Sequence, residues 1–210
     1  MKIVSSRIDP IIELIKGKKV LDIGCVGLGG TDTYGGINWI HGKMVKVAKK
    51  CVGLDIQKEE VEKLREKGFD TRIQNIEEPF DLGEKFDVVV AEEVIEHLSN
   101  LGIFLDNIKK HLDVGGLFII STPNPHGYEF FLSILLLGRT LANPRHTHWQ
   151  SADTLKHLLE SNGFELIHCF FVEGKSPIFM RKVIQYLFSW LPQRFARDGI
   201  YIAKKKAEDI

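Results

Sequence analysis

Three groups of residues carry the types and spacings that chemistry needs. The first is Asp22 with the glycines that follow it, in the stretch Lys19 to Gly30, KVLDIGCVGLGG. Val20, Leu21 and Ile23 make a short apolar run suited to a buried parallel strand, and Asp22 interrupts it just before the glycines. A carboxylate is costly at the end of a buried strand, so Asp22 is expected to face a site. Gly24, Gly27, Gly29 and Gly30 let backbone come close to a ligand there. The second group is Asp55, which ends the next apolar run; an acid in that place can accept both hydroxyls of a ribose. The third comprises the acids and histidines of Glu92-Glu93-Val94-Ile95-Glu96-His97 and of His146-Thr147-His148-Trp149.

The glycine turn excludes two familiar nucleotide sites. A dinucleotide G-x-G-x-x-G counted from Gly24 needs glycine at Val26, and counted from Gly27 it needs glycine at Asp32. Both registers fail, which argues against an NAD-dependent oxidoreductase. A phosphate-cradling loop needs Gly-Lys-Ser/Thr, whereas Gly30 is followed by Thr31 and Asp32. Zinc is disfavoured too. H-E-x-x-H would need histidine at Glu93, the inverse motif lacks its first histidine, and the His146-x-His148 pair has no evident third ligand, so no metal is expected.

The positioning elements follow from periodicity. Ile11, Ile12, Leu14 and Ile15 predict a short lead-in helix ending at Gly17. A helix from Gly36 to Lys50 carries Ile37, Ile40, Met44 and Val47 inward, with Trp39 and His41 expected to pack its start. Further strands are expected at Cys51–Ile56, Thr71–Ile76, Phe86–Ala91, Leu117–Ser121, Phe164–Phe171 and Ile200–Lys204. Helices at Lys58–Lys67, from Leu101 to Leu112, and from a Ser151 cap to Asn162-Gly163 alternate with them. The apolar stretch Phe130–Leu137 is shorter than the roughly twenty residues a membrane span takes, so it reads as a lid helix.

In order along the chain, these pieces resemble the class I S-adenosylmethionine-dependent methyltransferases. Val20–Gly24 resembles their acid-x-Gly first motif, Gly53-Leu54-Asp55-Ile56 their second, and Gly24-Cys25-Val26-Gly27 the form found in a small-molecule branch. The match runs from Val20 to about Asn124, and Val26 departs from it where many members have glycine. The resemblance implies a Rossmann-like α/β fold, with a doubly wound seven-stranded sheet, mostly parallel, whose last strand is antiparallel. It implies S-adenosyl-L-methionine as cofactor. Asp22, Gly24, Cys25, Gly27, Asp55, Ile56, Asn75, Ile76 and Glu92 would be the cofactor-binding residues. Asn75 would read the adenine amino group, Ile76 would touch the adenine face, and His97 would brace the loop after the fourth strand. His146 and His148 stand where the family places a histidine and an aromatic near the acceptor. A neutral histidine there can take the proton of an acceptor hydroxyl.

Bulk properties bound the rest. A chain of 210 residues fits one methyltransferase domain, 1–210, with lid insertions at about 125–149 and 172–198. Equal acidic and basic counts of 28 give no net field for gathering nucleic acid, and no nucleic-acid partner is expected. Cys25, Cys51 and Cys169 lack a disulfide or zinc-ribbon spacing, and no signal-peptide core opens the chain, so a cytoplasmic protein is expected. The expected partner is a small-molecule methyl acceptor, hydrophobic or lipid-linked. The chain is read as a monomer or homodimer; a peripheral membrane contact and a non-catalytic regulator on the same fold are left open.

Overall fold

The computed structural model describes residues 2–4, 6–27, 39–140, 143–172 and 195–206. Gly29, Gly30, the stretch Thr31 to Asn38 and most of the 172–198 insertion lie outside the described residues.

One eight-stranded sheet organises the chain. Its strands are β1 (Lys2–Val4), β2 (Lys19–Ile23), β3 (Lys50–Asp55), β4 (Thr71–Ile73), β5 (Phe86–Glu92), β6 (Leu112–Pro123), β7 (Phe164–Val172) and β8 (Asp198–Lys205). They lie in the order β1-β7-β8-β6-β5-β2-β3-β4. Every pairing is parallel except the two made by β8. The seven expected strands and the antiparallel last strand are therefore present. β1 is an addition: three residues at the sheet edge, too few to carry a period.

The sheet is clothed on both faces, as a parallel sheet must be. On one side Ile11 and Ile15 of α1 (Ile8–Ile15) and Ile40 and Met44 of α2 (Ile40–Val47) pack against Val20, Cys51, Val88, Val90 and Ile119. On the other, Phe104, Leu105 and Ile108 of α4 (Leu101–His111) and Leu155 and Leu159 of α6 (Ala152–Ser161) cover Leu21, Ile23, Val52, Leu54, Val89 and Phe118. Successive residues of β2 and β3 thus serve opposite cores, which is why these strands read as unbroken apolar runs. α3 (Lys58–Glu66) buries Val61 and Leu64 beneath Cys25 and Val26. Ser151 caps α6 through a reciprocal bond with Thr154, and the Asn100 side chain caps α4 by accepting from the Ile103 N–H.

Several boundaries differ from the periodicity. β4 ends at Ile73 rather than Ile76, so Asn75 and Ile76 lie in the turn that follows it. α2 ends at Val47 because Ala48 is already extended, and β3 begins at Lys50. β6 starts at Leu112, which pairs with Phe86; the pairing then jumps to Val88 with Leu117, so Asp113 to Gly116 form an irregularity inside a strand rather than a helix end. α5 (Tyr128–Leu137) is the expected apolar helix, closed by Gly138 at φ 67°.

The topology fixes where a ligand sits. From β2 the chain moves outward to β3 and β4, then returns to place β5 on the other side of β2. Asp22 stands level with Gly53 and Val90, and Ile23 with Leu54 and Ala91. The carboxyl ends of three strands therefore open on one crevice, at the point where the strand order reverses.

Candidate active site

A cavity of about 880 Å³ occupies that crevice. Asp22, Gly24, Cys25, Gly27, Asp55, Ile56, Asn75, Ile76 and Glu92, all nine residues expected around the cofactor, line it. The size lies within the range of small-molecule sites.

Its floor is the turn after β2. Gly24 has φ +79°, and a Cβ there would lie 2.8 Å from Val94 Cγ2. Glycine is needed twice over, for the backbone conformation and for contact with the loop after β5. The Gly24 and Cys25 N–H groups both donate to the Leu54 carbonyl, at 2.8 and 3.2 Å, which ties the turn to β3. Asp55, nearly buried, crosses back: its Oδ2 accepts from the Val26 N–H at 3.1 Å and its Oδ1 from the Gln57 N–H at 3.0 Å. These bonds fix the carboxylate, leaving a lone pair free on Oδ2, while the second lone pair of Oδ1 meets the Gln57 side-chain Nε2 at 3.4 Å. Ile56, 65% exposed, projects apolar surface beside it.

Asn75 is more committed than its sequence position implies. Its Oδ1 accepts from the Glu77 N–H at 3.1 Å and its Nδ2 donates to Glu78 at 2.9 Å. One lone pair of the amide oxygen remains for a ligand.

The opposite wall is charged. Arg7, just before α1, lies 3.5 Å from Glu92, 3.0 Å from Glu93 and 3.6 Å from Asp198. Burial raises the Glu92 and Glu93 carboxyls, with Arg7 opposing, and lifts Asp198 to about 6, helped by the charge of Glu93. Glu93 has φ +53°, alone among the described non-glycine residues in being positive, and its N–H is held by the Ser121 carbonyl at 3.0 Å. Such strain persists only where neighbours over-determine it. Arg7 carried no sequence signal, since it lies outside every motif.

Beyond Val94 the cavity reaches His97 and Arg145. His97 Nδ1 donates to the Arg145 carbonyl at 3.2 Å, which leaves Nε2 as an acceptor. His97 therefore braces the loop, as expected, and also borders the cavity. His146 and His148 are not among the lining residues. The His146 ring stands 4.8 Å from that of His97, and its Nδ1 is buried without a partner among the described residues. Burial and the neighbouring His97 and His148 lower its pKa. His148 Nε2 is likewise buried with no partner among the described residues, while its Nδ1 meets Gln150 at 3.5 Å.

Glu96 completes a trio that sequence spacing did not reveal. Its Oε2 accepts from the Thr122 hydroxyl at 3.0 Å, its Oε1 is buried without a partner among the described residues, and burial together with Glu93 raises its pKa to about 8. The candidate ligand atoms of Glu96, His97 and His146 all lie within 4.8 Å of one another. Two imidazoles and a carboxylate form a donor set that suits a borderline divalent cation. The expectation of no metal rested on motif spacing, and the third group for His146 comes from a loop about fifty residues earlier in the chain.

The model of a family described as "Methyltransferase domain" matches residues 4–169. The chain belongs to that methyltransferase family. It is 32% identical over 162 residues to a ubiquinone biosynthesis O-methyltransferase of Bradyrhizobium sp. (strain ORS 278), covering 71% of this chain and 60% of the relative. It is 33% identical over 153 residues to a probable S-adenosylmethionine-dependent methyltransferase of Mycolicibacterium smegmatis, covering 71% and 53%. The mitochondrial ubiquinone biosynthesis O-methyltransferase of Homo sapiens is 31% identical over 165 residues, covering 71% and 42%. The chain thus spans about half the length of these curated relatives. Among solved structures, a SAM-dependent methyltransferase from Archaeoglobus fulgidus superposes with a TM-score of 0.64 at 24% identity, over 95% of this chain and 91% of that one. A magnesium protoporphyrin IX methyltransferase from Synechocystis PCC 6803 gives 0.63 at 16%, over 95% and 82%. These last two likenesses establish the methyltransferase fold and no more.

Proposed function

We propose that the chain transfers the methyl group of S-adenosyl-L-methionine to an oxygen or nitrogen nucleophile of a small hydrophobic acceptor, with a hydroxyl favoured. The reading takes 1–210 as one domain. The single observation that carries it is the crevice in which Asp55, pinned by two backbone N–H groups, stands across from Asp22 over a glycine floor. Bound there, the cofactor supplies an electrophilic sulfonium methyl.

The chain's own residues bind and align. Asp55 would accept from the two ribose hydroxyls, one of them displacing the Gln57 side-chain amide from Oδ1. Ile56 and Ile76 would offer apolar surface to the adenine, and the remaining Asn75 lone pair would accept from its amino group. The N–H groups of Gly24 to Gly27, expected to take the carboxylate of the methionine end, are all held within the protein, by the Leu54 carbonyl, Asp55 and the Gly24 carbonyl, whereas Asp22 and Glu92 would provide negative charge for its amino group and sulfonium. In-line displacement then depends chiefly on holding donor and acceptor close and aligned.

The acceptor would enter between Val94, His97, Leu98 and Arg145. A neutral imidazole, from His97 at the wall or His146 behind it, takes the hydroxyl proton. A cation held by Glu96, His97 and His146 would serve the same end by lowering the hydroxyl's pKa, and sensitivity to a chelator separates the two. The exposed apolar side chains of α5, Phe131, Ile134, Leu135, Leu136 and Leu137, support a hydrophobic acceptor, as do the O-methyltransferase names of the relatives. No helix among the described residues is long and apolar enough to cross a membrane.

The test is methyl-labelled donor offered with catechols bearing polyprenyl tails of graded length. Label recovered on the hydroxyl supports the reading. Tight binding of S-adenosylhomocysteine with no transfer to any hydroxyl or amine acceptor would point instead to a regulatory protein.

A further inference from the structure

His41 does more than pack the start of α2. It is fully buried, does not line the cavity, and places Nδ1 2.8 Å from Asp22 Oδ2. Room for the imidazole is made by β3: Gly53 stands level with Asp22, and a Cβ there would lie 2.8 Å from His41 Cε1 and 2.7 Å from the Cβ and Sγ of Cys25. Trp39, whose indole N–H donates to the Cys25 carbonyl at 3.0 Å, closes one side of the ring at 5.6 Å, and Phe69 another at 5.9 Å. Cys51 Sγ lies 4.0 Å from Nδ1. The buried casing strengthens the bond between His41 and Asp22. His41 Nε2 has no partner among the described residues. An apolar side chain would fill the slot without leaving a buried nitrogen unpaired, so packing alone does not account for an imidazole here.

We propose that His41 is a positioning residue that acts through Asp22. Its Nδ1–H fixes the rotamer of the carboxylate and favours its charged form, so that the other oxygen is presented to a cationic group of the ligand in the cavity. The proposal rests on the methyl-donor reading, in which that group is the amine or sulfonium of the methionine end. Burial pushes the Asp22 carboxyl up from its ordinary value and Asp55 adds to this, while His41 opposes both through its hydrogen bond and charge. Glu92, across the cavity, is raised by burial and by the charge of Asp22, and Asp70 acts on Cys51; Cys25 and Cys51 are neutral thiols, since burial raises both far above neutrality. Without His41 the carboxyl therefore protonates at higher pH, and binding of a cationic ligand should fail at higher pH as well.

The test is calorimetry of S-adenosylhomocysteine, which keeps the amine, on parent, H41L, H41N, D22N and D22N/H41L proteins between about pH 5.5 and 8.5. H41L should weaken binding at least about tenfold near neutrality, the scale of a lost hydrogen bond to a charged group. The acid limb of its affinity profile should also move to higher pH. H41N, whose Nδ2 can donate from near the position of Nδ1, should recover most of the loss, and adding H41L to D22N should cost nothing further. H41Q, whose donor sits in the place of Nε2, replaces H41L if that variant does not fold. A binding parent with an indifferent H41L, or a loss of equal size in the D22N background, overturns the proposal. A parent that fails to bind S-adenosylhomocysteine overturns the methyl-donor reading, and this proposal with it.

Discussion

Replacing Asp55 by alanine should remove most of the affinity for S-adenosylhomocysteine. Each carboxylate oxygen already accepts one backbone N–H, Val26 at 3.1 Å and Gln57 at 3.0 Å, and a second ribose hydroxyl would displace the Gln57 Nε2 that lies 3.4 Å from Oδ1. A hydrogen bond to an ionised group contributes about 1.5 kcal/mol at the low end, so two lost bonds amount to about 3 kcal/mol, or roughly 150-fold in Kd. D55N should lie within about threefold of alanine, because its amide N–H₂ must face either a backbone N–H or a hydroxyl that needs an acceptor. D55A strands the Val26 and Gln57 N–H groups and D55N one of the two, and a penalty of about 1–3 kcal/mol for each lowers the Tm by about 2–4 °C per kcal/mol in a chain of this size. Calorimetry should therefore be run well below the transition, with circular dichroism as a check on folding. A 2′,3′-dideoxy analogue isolates the ribose contribution, since parent and D55A should bind it alike. Affinity for the full ligand retained within about threefold, in a folded D55A protein, would refute the ribose assignment.

Other expectations test the frame around the site. G24A should cost about 1–3 kcal/mol in stability and abolish tight binding, because the new Cβ meets Val94 Cγ2 at 2.8 Å and φ is +79°. V94A added to it should relieve the clash and leave the backbone strain, which thermal melts of the single and double variants would show. Glu84, bonded to Lys50 and paired with Lys19, has its carboxyl lowered from 4.5 to about 2. A depressed carboxyl contributes stability that is present above its unfolded pKa and lost as pH falls through the folded one. The parent should accordingly lose Tm between about pH 4.5 and 2, while E84Q should be flatter across that window. L135E and L136E, on the exposed face of α5, should leave Tm nearly unchanged and reduce turnover of long-tailed acceptors more than of short ones.

The fold and the cofactor end of the crevice were legible because their signals are local. Val20, Leu21 and Ile23 serve two cores, and a strand buried on both faces has to read as an apolar run; Asp22 and Gly24 then mark its end. Asp55 was legible for the same reason. Residues whose roles depend on distant backbone were not. Arg7 meets Glu92, Glu93 and Asp198 only once α1 is laid beside the strand ends, and no spacing encodes that. His41 reads as one more residue of a helix start, since neither the slot over Gly53 nor its bond to Asp22 exists in one dimension. The H-x-H segment marks a loop near the acceptor end, but loop residues carry no period from which side-chain direction follows. There the cavity is bordered by His97 and Arg145 rather than by His146 and His148. The bulge at Asp113 to Gly116 was hidden because its two glycines serve a helix end and an irregular strand equally well.

The central claim is that the crevice over β2 and β3 receives an adenosyl methyl donor. Its most direct test is a calorimetric titration of the parent protein with S-adenosylhomocysteine, with NADH titrated in parallel. The prediction is saturable one-to-one binding of S-adenosylhomocysteine and no heat from NADH; tight NADH binding, or no binding of S-adenosylhomocysteine at millimolar supply, would contradict it.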